Sequence, residues 1–543
     1  MAFSPRWVFS LCVLAGGASA TWLSACSDDD PAAAPSGDAG PDVIALPDGG
    51  TSCPPQPAPA CTGQSCTDQQ GEPAACVNGA CVKLKGPDCV RPKFGGDLTG
   101  GNVVVIGGLH AQSGANAGPG AQRISSMELA ANEINAAGGI RDPDRCKPAR
   151  TLAYVACDDV NATPDAGIEA VNRVKAGKYM TDVLKVPVII GGSNSGNTLD
   201  IAKNVAVPAK AMVFSPTSTA VAITAPTDFN PSPDGTRLLW RAAPSDVVQA
   251  VVLQQLAGRS EVEAKLAGNA APKVALVTRN DAYGRGIRAA FNTGFTVNGA
   301  APTAANYTDI VYQEPVGAGA AADTALRAFA PDIVVMAGTN EATTEILQPF
   351  DAAAVAAGRA PVYVLADGQK KAALTTLVKS AGGTLRARIR GTQPGVLTAL
   401  GQTFYNLAYV PKYTNAVPLS YGMAGTYDIT YMIAYAIAAA KGGPIDGTTL
   451  AKNMAFLVDG EQIDVGAQGL SRGTEALRKG DKIDFNGASG PLAFDLATGE
   501  APSDYGVWCV RIDPNTSNAI FEEASGLSYS ASTKTLSGTF KCE

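Results

Sequence analysis

Two short loops hold the residues best suited to binding chemistry. The first is Gly191-Gly-Ser-Asn-Ser-Gly196, between the apolar run Val186-Pro-Val-Ile-Ile190 and a helical run from Thr198 to Val205. The second is Ser215-Pro-Thr-Ser-Thr219, after Ala211-Met-Val-Phe214. Apolar runs bounded by glycine and hydroxyl residues predict buried parallel strands. Ligands of such sheets bind beyond the carboxyl ends of the strands. Hydroxyls and backbone N–H groups at helix starts favour anions. These loops are therefore expected to form two walls of one anion-binding site.

The elements that must position these loops alternate between strand and helix. Asn102 to Ile106 reads as a strand, Gly107 to Gly114 as its exit loop, and Gln122 to Ala136 as an amphipathic helix stopped by Gly138 and Gly139. Leu152 to Val155 is the next strand, ending at Cys157-Asp-Asp159, and a helix over 162–177 follows. A second series begins after Trp240 to Asp246. Its helix covers Val247 to Leu256. Its strands are Lys273 to Val277, Asp309 to Tyr312, Asp332 to Met336 and Val362 to Leu365, with polar exits such as Ala366-Asp-Gly368. Gly425 to Ala436 is a strongly apolar helix, Gly487 to Asp495 a turn and strand, and Tyr505 to Arg511 a late strand. This order predicts an α/β chain with two doubly wound parallel-sheet lobes.

The chain has 543 residues, 46% of them hydrophobic and 17% charged, which suits two or three globular domains. A net charge of −7 and the lack of a basic run exclude nucleic acid as the main partner. Neither G-x-G-x-x-G nor G-x-x-x-x-G-K-[ST] occurs, so no dinucleotide or P-loop site is expected. The single histidine, His110, sits in a Gly-rich loop and reads as structural, with no G-x-S-x-G elbow to serve. Asp158 and Asp159 read as a strand end and not as metal ligands. A non-enzymatic binding protein without cofactor or metal is the expectation.

The amino terminus reads as a targeting segment. Arg6 precedes an apolar run from Trp7 to Ala20, too short to span a bilayer comfortably. Leu23-Ser-Ala-Cys26 resembles the bacterial lipobox, so residues 1–25 are expected to be a lipoprotein signal peptide and Cys26 the lipidated first residue of the mature chain. That places the protein on the outer side of a membrane, at the periplasmic face of the envelope, without a transmembrane helix. Residues 26–50 are rich in Pro, Ala, Gly and Asp and read as a flexible tether.

Twelve cysteines are present. Six cluster at Cys53, Cys61, Cys66, Cys76, Cys81 and Cys89, and residues 51–92 read as a small disulfide module, with a zinc site as the alternative. Cys61-x4-Cys66 recurs as Cys76-x4-Cys81, and sequence does not choose among the fifteen pairings of six cysteines. The remaining four predict two local bridges, Cys146–Cys157 and Cys509–Cys542.

Several pieces, in order, resemble the branched-chain amino-acid-binding proteins of ABC transporters, within the type I periplasmic binding-protein fold. They are Ala131 to Ile140, Asp158-Asp159, Gly191 to Gly196, Phe214 to Thr219, and Arg241-Ala-Ala-Pro-Ser-Asp246 with Gln249. Asp281-Ala-Tyr-Gly284, Thr426-Tyr-Asp428 and Gly487-x-x-Gly490 leading to Phe494-Asp495 complete the set. The resemblance spans roughly Asp97 to Arg511 and leaves out the tether and the cysteine module. It implies lobe 1 from 97–240 plus about 392–490, lobe 2 from 241–391 plus about 491–543, and an interlobe cleft that closes on a small ligand.

The resemblance also implies roles. Ser195, with Asn194 beside it, and Thr219 would hold an α-carboxylate. Thr217 falls where a backbone carbonyl takes the α-ammonium. Asp367 would pair with that ammonium, Tyr283 would close over the ligand, and Thr339 stands where some relatives carry an aromatic. Pro119 or its neighbours replace another family aromatic. Asp367 is also one methylene shorter than glutamate. These departures weaken a leucine-type side chain and keep an amino acid, or a related amide or acid. The implied partner is an ABC permease. An envelope sensor or interaction lipoprotein that uses the same fold is the second expectation, motivated by the tether and the cysteine module.

Overall fold

The computed structural model describes residues 53, 57–160, 172–224, 236–313, 317–381, 384–395, 400–413 and 421–542. The chain divides into two compact units, 1–55 and 56–543. The signal segment, Cys26 and the tether lie outside the described residues, as does most of the helix expected over 162–177. The second unit carries the folded architecture.

Its first parallel sheet runs, in spatial order, Thr151–Asp158, Val103–His110, Val188–Gly191, Met212–Ser215 and Leu239–Arg241. Lys93–Gly96 adds an antiparallel edge strand beside Thr151–Asp158. The second sheet runs Tyr307–Tyr312, Val274–Arg279, Ile333–Ala337, Val362–Leu365 and Ile389–Pro394, all parallel. It then continues antiparallel through Tyr505–Ile512, Leu527–Ser530 and Thr535–Gly538. In each sheet the first parallel strand lies between the second and the third. Such an arrangement opens a crevice at the carboxyl ends of Val103–His110 and Val274–Arg279. The strands are buried on both faces, which is why their sequences are continuous apolar runs and do not alternate.

Helices complete each lobe. Ala117–Ala136 buries Ile124, Met127, Ala131 and Ile134 at helical spacing. Against it lies Met423–Ala439, in which every residue except Ala424 is buried. Both helices join the first sheet in one core. The Tyr427 and Tyr431 hydroxyls donate to Glu133 Oε2 at 2.5 and 2.7 Å, which ties the two helices together. Asp428 accepts from the Ala488 and Ser489 backbone N–H groups, both at 2.7 Å. A Cβ on Gly487 would come within 2.5 Å of Asp428 Oδ2. This contact gives the Thr426-Tyr-Asp428 and Gly487-x-x-Gly490 pieces one structural purpose: they dock the late chain onto the first lobe.

Elements run longer than their sequence signals. The first strand continues to His110, through Gly107 to His110 that the sequence pattern reads as loop; the helix after Ser245 runs to Leu266. Leu239–Arg241 and Ile389–Pro394 are strands with no sequence-based forerunner.

The cysteine pairing needs one correction. Cys509–Cys542 forms as expected. Cys157, however, pairs with Cys89 and not with Cys146, which is disulfide-bonded elsewhere. Cys146 lies in a polar, mostly exposed loop, whereas Cys157 is fully buried in the first sheet. A short sequence separation does not bring them together. Cys61–Cys76 and Cys66–Cys81 join the two C-x4-C repeats member to member. The cluster is therefore a disulfide module, and Cys89 fastens its end to the first lobe.

Candidate functional site

The site is built from the carboxyl-end loops of both sheets. In the first lobe, Asn194 caps the helix Ser195–Ile201, its Oδ1 accepting from Asn197 N–H at 2.9 Å. That capping holds Ser195 at the helix start. The Ser195 Oγ accepts from Ala220 N–H at 3.2 Å, which joins the two hydroxyl loops and leaves its own O–H proton to donate. The Thr217 hydroxyl donates to the Gly192 carbonyl at 3.1 Å, so its lone pairs are left to accept. The Thr219 carbonyl accepts from Arg241 Nη1 and from Asp246 N–H, both at 2.8 Å. Ser195, Thr217 and Thr219 are buried, and Asn194 is exposed.

In the second lobe, Asp281 caps the helix Ala282–Asn292 and so places Tyr283. The Tyr283 hydroxyl donates to Asp367 Oδ1 at 2.7 Å, and Gln249 Nε2 donates to the same oxygen at 2.9 Å. Burial raises the Asp367 carboxyl above the usual carboxylate range, partly offset by Tyr283, Gln249 and Lys371. Burial also raises Asp246 well above that range, and the nearby Asp367 adds to it. The Thr219 side chain and the Arg241 guanidinium pull it back in part. Two acids thus lie close enough to raise each other's cost of ionisation, an arrangement that suits a cation.

Thr339 sits in a different network. Its Oγ1 accepts from Arg279 Nη1 at 3.1 Å and donates to Glu341, while Arg279 also pairs with Asp281 at 2.6 Å. Thr339 is therefore held at the rim of the second lobe by neighbouring charges.

Some residues at the site were not among the expected ones. Arg123 is 4% exposed and projects from the apolar face of Ala117–Ala136. Its Nε and Nη2 donate to the Tyr421 carbonyl at 3.0 and 2.9 Å. Burial lowers it to about 10, with Asp159 and Tyr421 pulling the other way. Lys371 follows Asp367 closely and donates to Asn116 Oδ1 at 3.3 Å, a contact between the lobes. Burial, with Arg123 beside it, lowers Lys371 to about 8. His110 is fully buried at the end of its strand and pushed down to about 3 by burial and by Arg123, so it is neutral. The one available signal for Arg123 was a cation inside a helical apolar stripe. Lys371 and Tyr421 stand in loops without a pattern.

Asp158 and Asp159 have separate tasks. Asp158 pairs with Arg91 at 2.9 Å, while Asp159 accepts from Ser193 N–H at 2.6 Å and from Asn197 Nδ2 at 3.1 Å. Asp159 thereby braces the first hydroxyl loop.

The family model for periplasmic binding proteins matches residues 103–517. The chain belongs to the periplasmic binding protein family. Its fold is similar to that of a leucine-binding protein from Thermotoga maritima, with 18% identity, 77% of this chain and 97% of that chain covered, and a TM-score of 0.53. A branched-chain amino-acid transporter substrate-binding protein from Streptococcus pneumoniae, solved with isoleucine, shares 21% identity over 78% of this chain and 99% of that one, at 0.51. A solute-binding protein of an ABC transporter from Rhodopseudomonas palustris, solved with 3,4-dihydroxybenzoic acid, shares 16% over 79% and 98%, at 0.54. No curated protein matches the chain. As a type I periplasmic binding protein, it has the α/β two-sheet fold expected from its sequence. Among the described residues no helix is long and apolar enough to cross a membrane.

Proposed function

We propose that this periplasmic binding protein captures a small amino-acid-like solute between two closing lobes and presents it to an ABC permease. Lobe 1 would be 97–240 plus about 392–490, and lobe 2 would be 241–391 plus about 491–543. One observation carries the reading: hydroxyls suited to an anion and two mutually repelling acids suited to a cation line the same interior, from opposite lobes. Ser195 retains a proton for a carboxylate, Thr217 retains lone pairs for an ammonium, and Asp367 supplies the charge, with Tyr283 over it. A ligand that bridges both lobes favours the closed state by its differential affinity. Solved neighbours bind isoleucine or hydroxylated benzoates. The acids at Asp246 and Asp367 favour a ligand with an ammonium over a plain aromatic acid. Anchoring through Cys26 at the outer side of a membrane, after removal of residues 1–25, is the localisation that fits such capture, and the mechanism involves no turnover. Calorimetry on the full-length protein with a panel of amino acids is the test. Heat and a raised melting temperature with at least one of them are expected; neither with any amino acid would sink the reading.

A further inference from the structure

The geometry points to a second anion position in the cleft, between Arg123 of the first lobe and Lys371 of the second, so that the ligand is an amino acid whose side chain is itself acidic. The inference rests on the amino-acid reading above and extends it to the side chain.

Arg123 is nine-tenths buried or more, and its Nη1 has no hydrogen-bond partner. Its other two nitrogens meet only a neutral carbonyl, that of Tyr421. Asp159 attracts it electrostatically, but Ser193 and Asn197 already engage both Asp159 oxygens. A buried guanidinium without an anionic partner is costly, by several kcal/mol for an isolated charge. Lys371 repels Arg123 from the facing lobe; it donates to the neutral Asn116 amide and is attracted by Asp367 and Glu341. Two like charges held toward each other across a closing interface are stabilised by an anion between them. His110 stands beside Arg123 with neither ring nitrogen partnered and, being neutral, can donate one N–H without adding charge.

The place is within the same cleft. A Cβ on Gly422 would lie 2.2 Å from Thr217 Cγ2 and 3.1 Å from Arg123 Nε, so Arg123 and the hydroxyl loop are separated by little more than one residue. Lys371 lies within electrostatic reach of Asp367. The ammonium partner and the second anion position are thus neighbours, as the two ends of an acidic amino acid require. A neutral side chain would leave Arg123 without an anion on closure, which gives discrimination against it.

The test is calorimetry on the full chain with charged and neutral members of matched pairs: aspartate and asparagine, glutamate and glutamine, phosphoserine and serine. In the pair that binds best, the anionic member is expected to bind at least tenfold tighter. Arg123→Gln should raise the Kd of that anion tenfold or more and move its neutral mate less than threefold. Arg123→Lys should recover part of the loss. Lys371→Gln, at a half-buried position, should show the same selectivity with a smaller effect and covers the case in which Arg123→Gln does not fold. Equal or stronger binding of the neutral members, or an equal loss for both members, overturns the inference. Binding of succinate or glutarate but of no amino acid, still lost in Arg123→Gln, would remove the amino-acid reading and keep the anion position. No Arg123-dependent binding of any anion removes the anion position itself.

Discussion

Asp367→Asn should make the unliganded protein more stable and the ligand weaker, two effects of opposite sign. Asp367 is half-buried, and desolvation raises its carboxyl above the ordinary range. An acid raised in this way stabilises the fold below its unfolded value of about 3.9 and loses that contribution as pH rises through the folded value. At neutral pH its charge therefore opposes folding, and Asp246 nearby adds like-charge repulsion. Asparagine keeps an oxygen for the Tyr283 hydroxyl and for Gln249. The expected gain is about 0.5–2 kcal/mol at pH 7, the range seen when functional strain is removed, and it should shrink below pH 4. Ligand binding loses a buried ammonium–carboxylate pair, a cost of about 3 kcal/mol or more, which is roughly a hundredfold in Kd. Urea unfolding at pH 7 and pH 4 measures the first effect and calorimetry the second. A variant destabilised by more than about 1 kcal/mol that still binds within threefold of wild type would show Asp367 to be a structural acid; the ammonium assignment would then be wrong.

Three further outcomes follow from the same geometry. Gly422→Ala puts a side chain at φ 86° and against Thr217 and Arg123; left-handed strain of about 1–2 kcal/mol plus overpacking of about 1–3 kcal/mol should appear in denaturant unfolding, together with weakened binding. Asp428→Ala leaves the Ala488 and Ser489 N–H groups without an acceptor and should cost about 2–5 kcal/mol, read as a lower urea midpoint. Cys89→Ser removes a closure of 68 residues, worth about 4 kcal/mol in the chain-entropy account, and should lower the urea midpoint accordingly.

Parts of this molecule are legible in its sequence because one kind of force fixes them. Val188–Gly191 and Met212–Ser215 are buried on both faces, so apolar content alone marks them. Leu239–Arg241 is a strand that ends in a charge, and Arg241 is tolerable there because it pairs with Glu500 and because the Thr219 and Ala220 carbonyls accept from it at 2.8 Å. Those partners come from a loop some twenty residues earlier and from far down the chain, and no local window contains them. The cysteines show the same limit. Cys509 and Cys542 are joined by neighbouring structure, whereas Cys89 and Cys157 meet because an edge strand brings the module's end back along Thr151–Asp158.

The site divides along the same line. The hydroxyl loops announce themselves, since Ser195, Thr217 and Thr219 lie close in the chain and at the ends of strands. Asp367 and Tyr283 became visible through resemblance to a family, and Arg123 through neither route. Its side chain emerges from a helix whose other buried positions are apolar or small, and only the return of the chain at Tyr421 encloses it. Burial then does what exposure could not: a guanidinium that in water would be indifferent to its surroundings becomes a demand for a counter-charge. In the proposed reading Ser195 donates to the carboxylate of any amino acid, so selectivity has to come from Arg123, whose guanidinium meets only a neutral carbonyl, with Lys371 on the facing side.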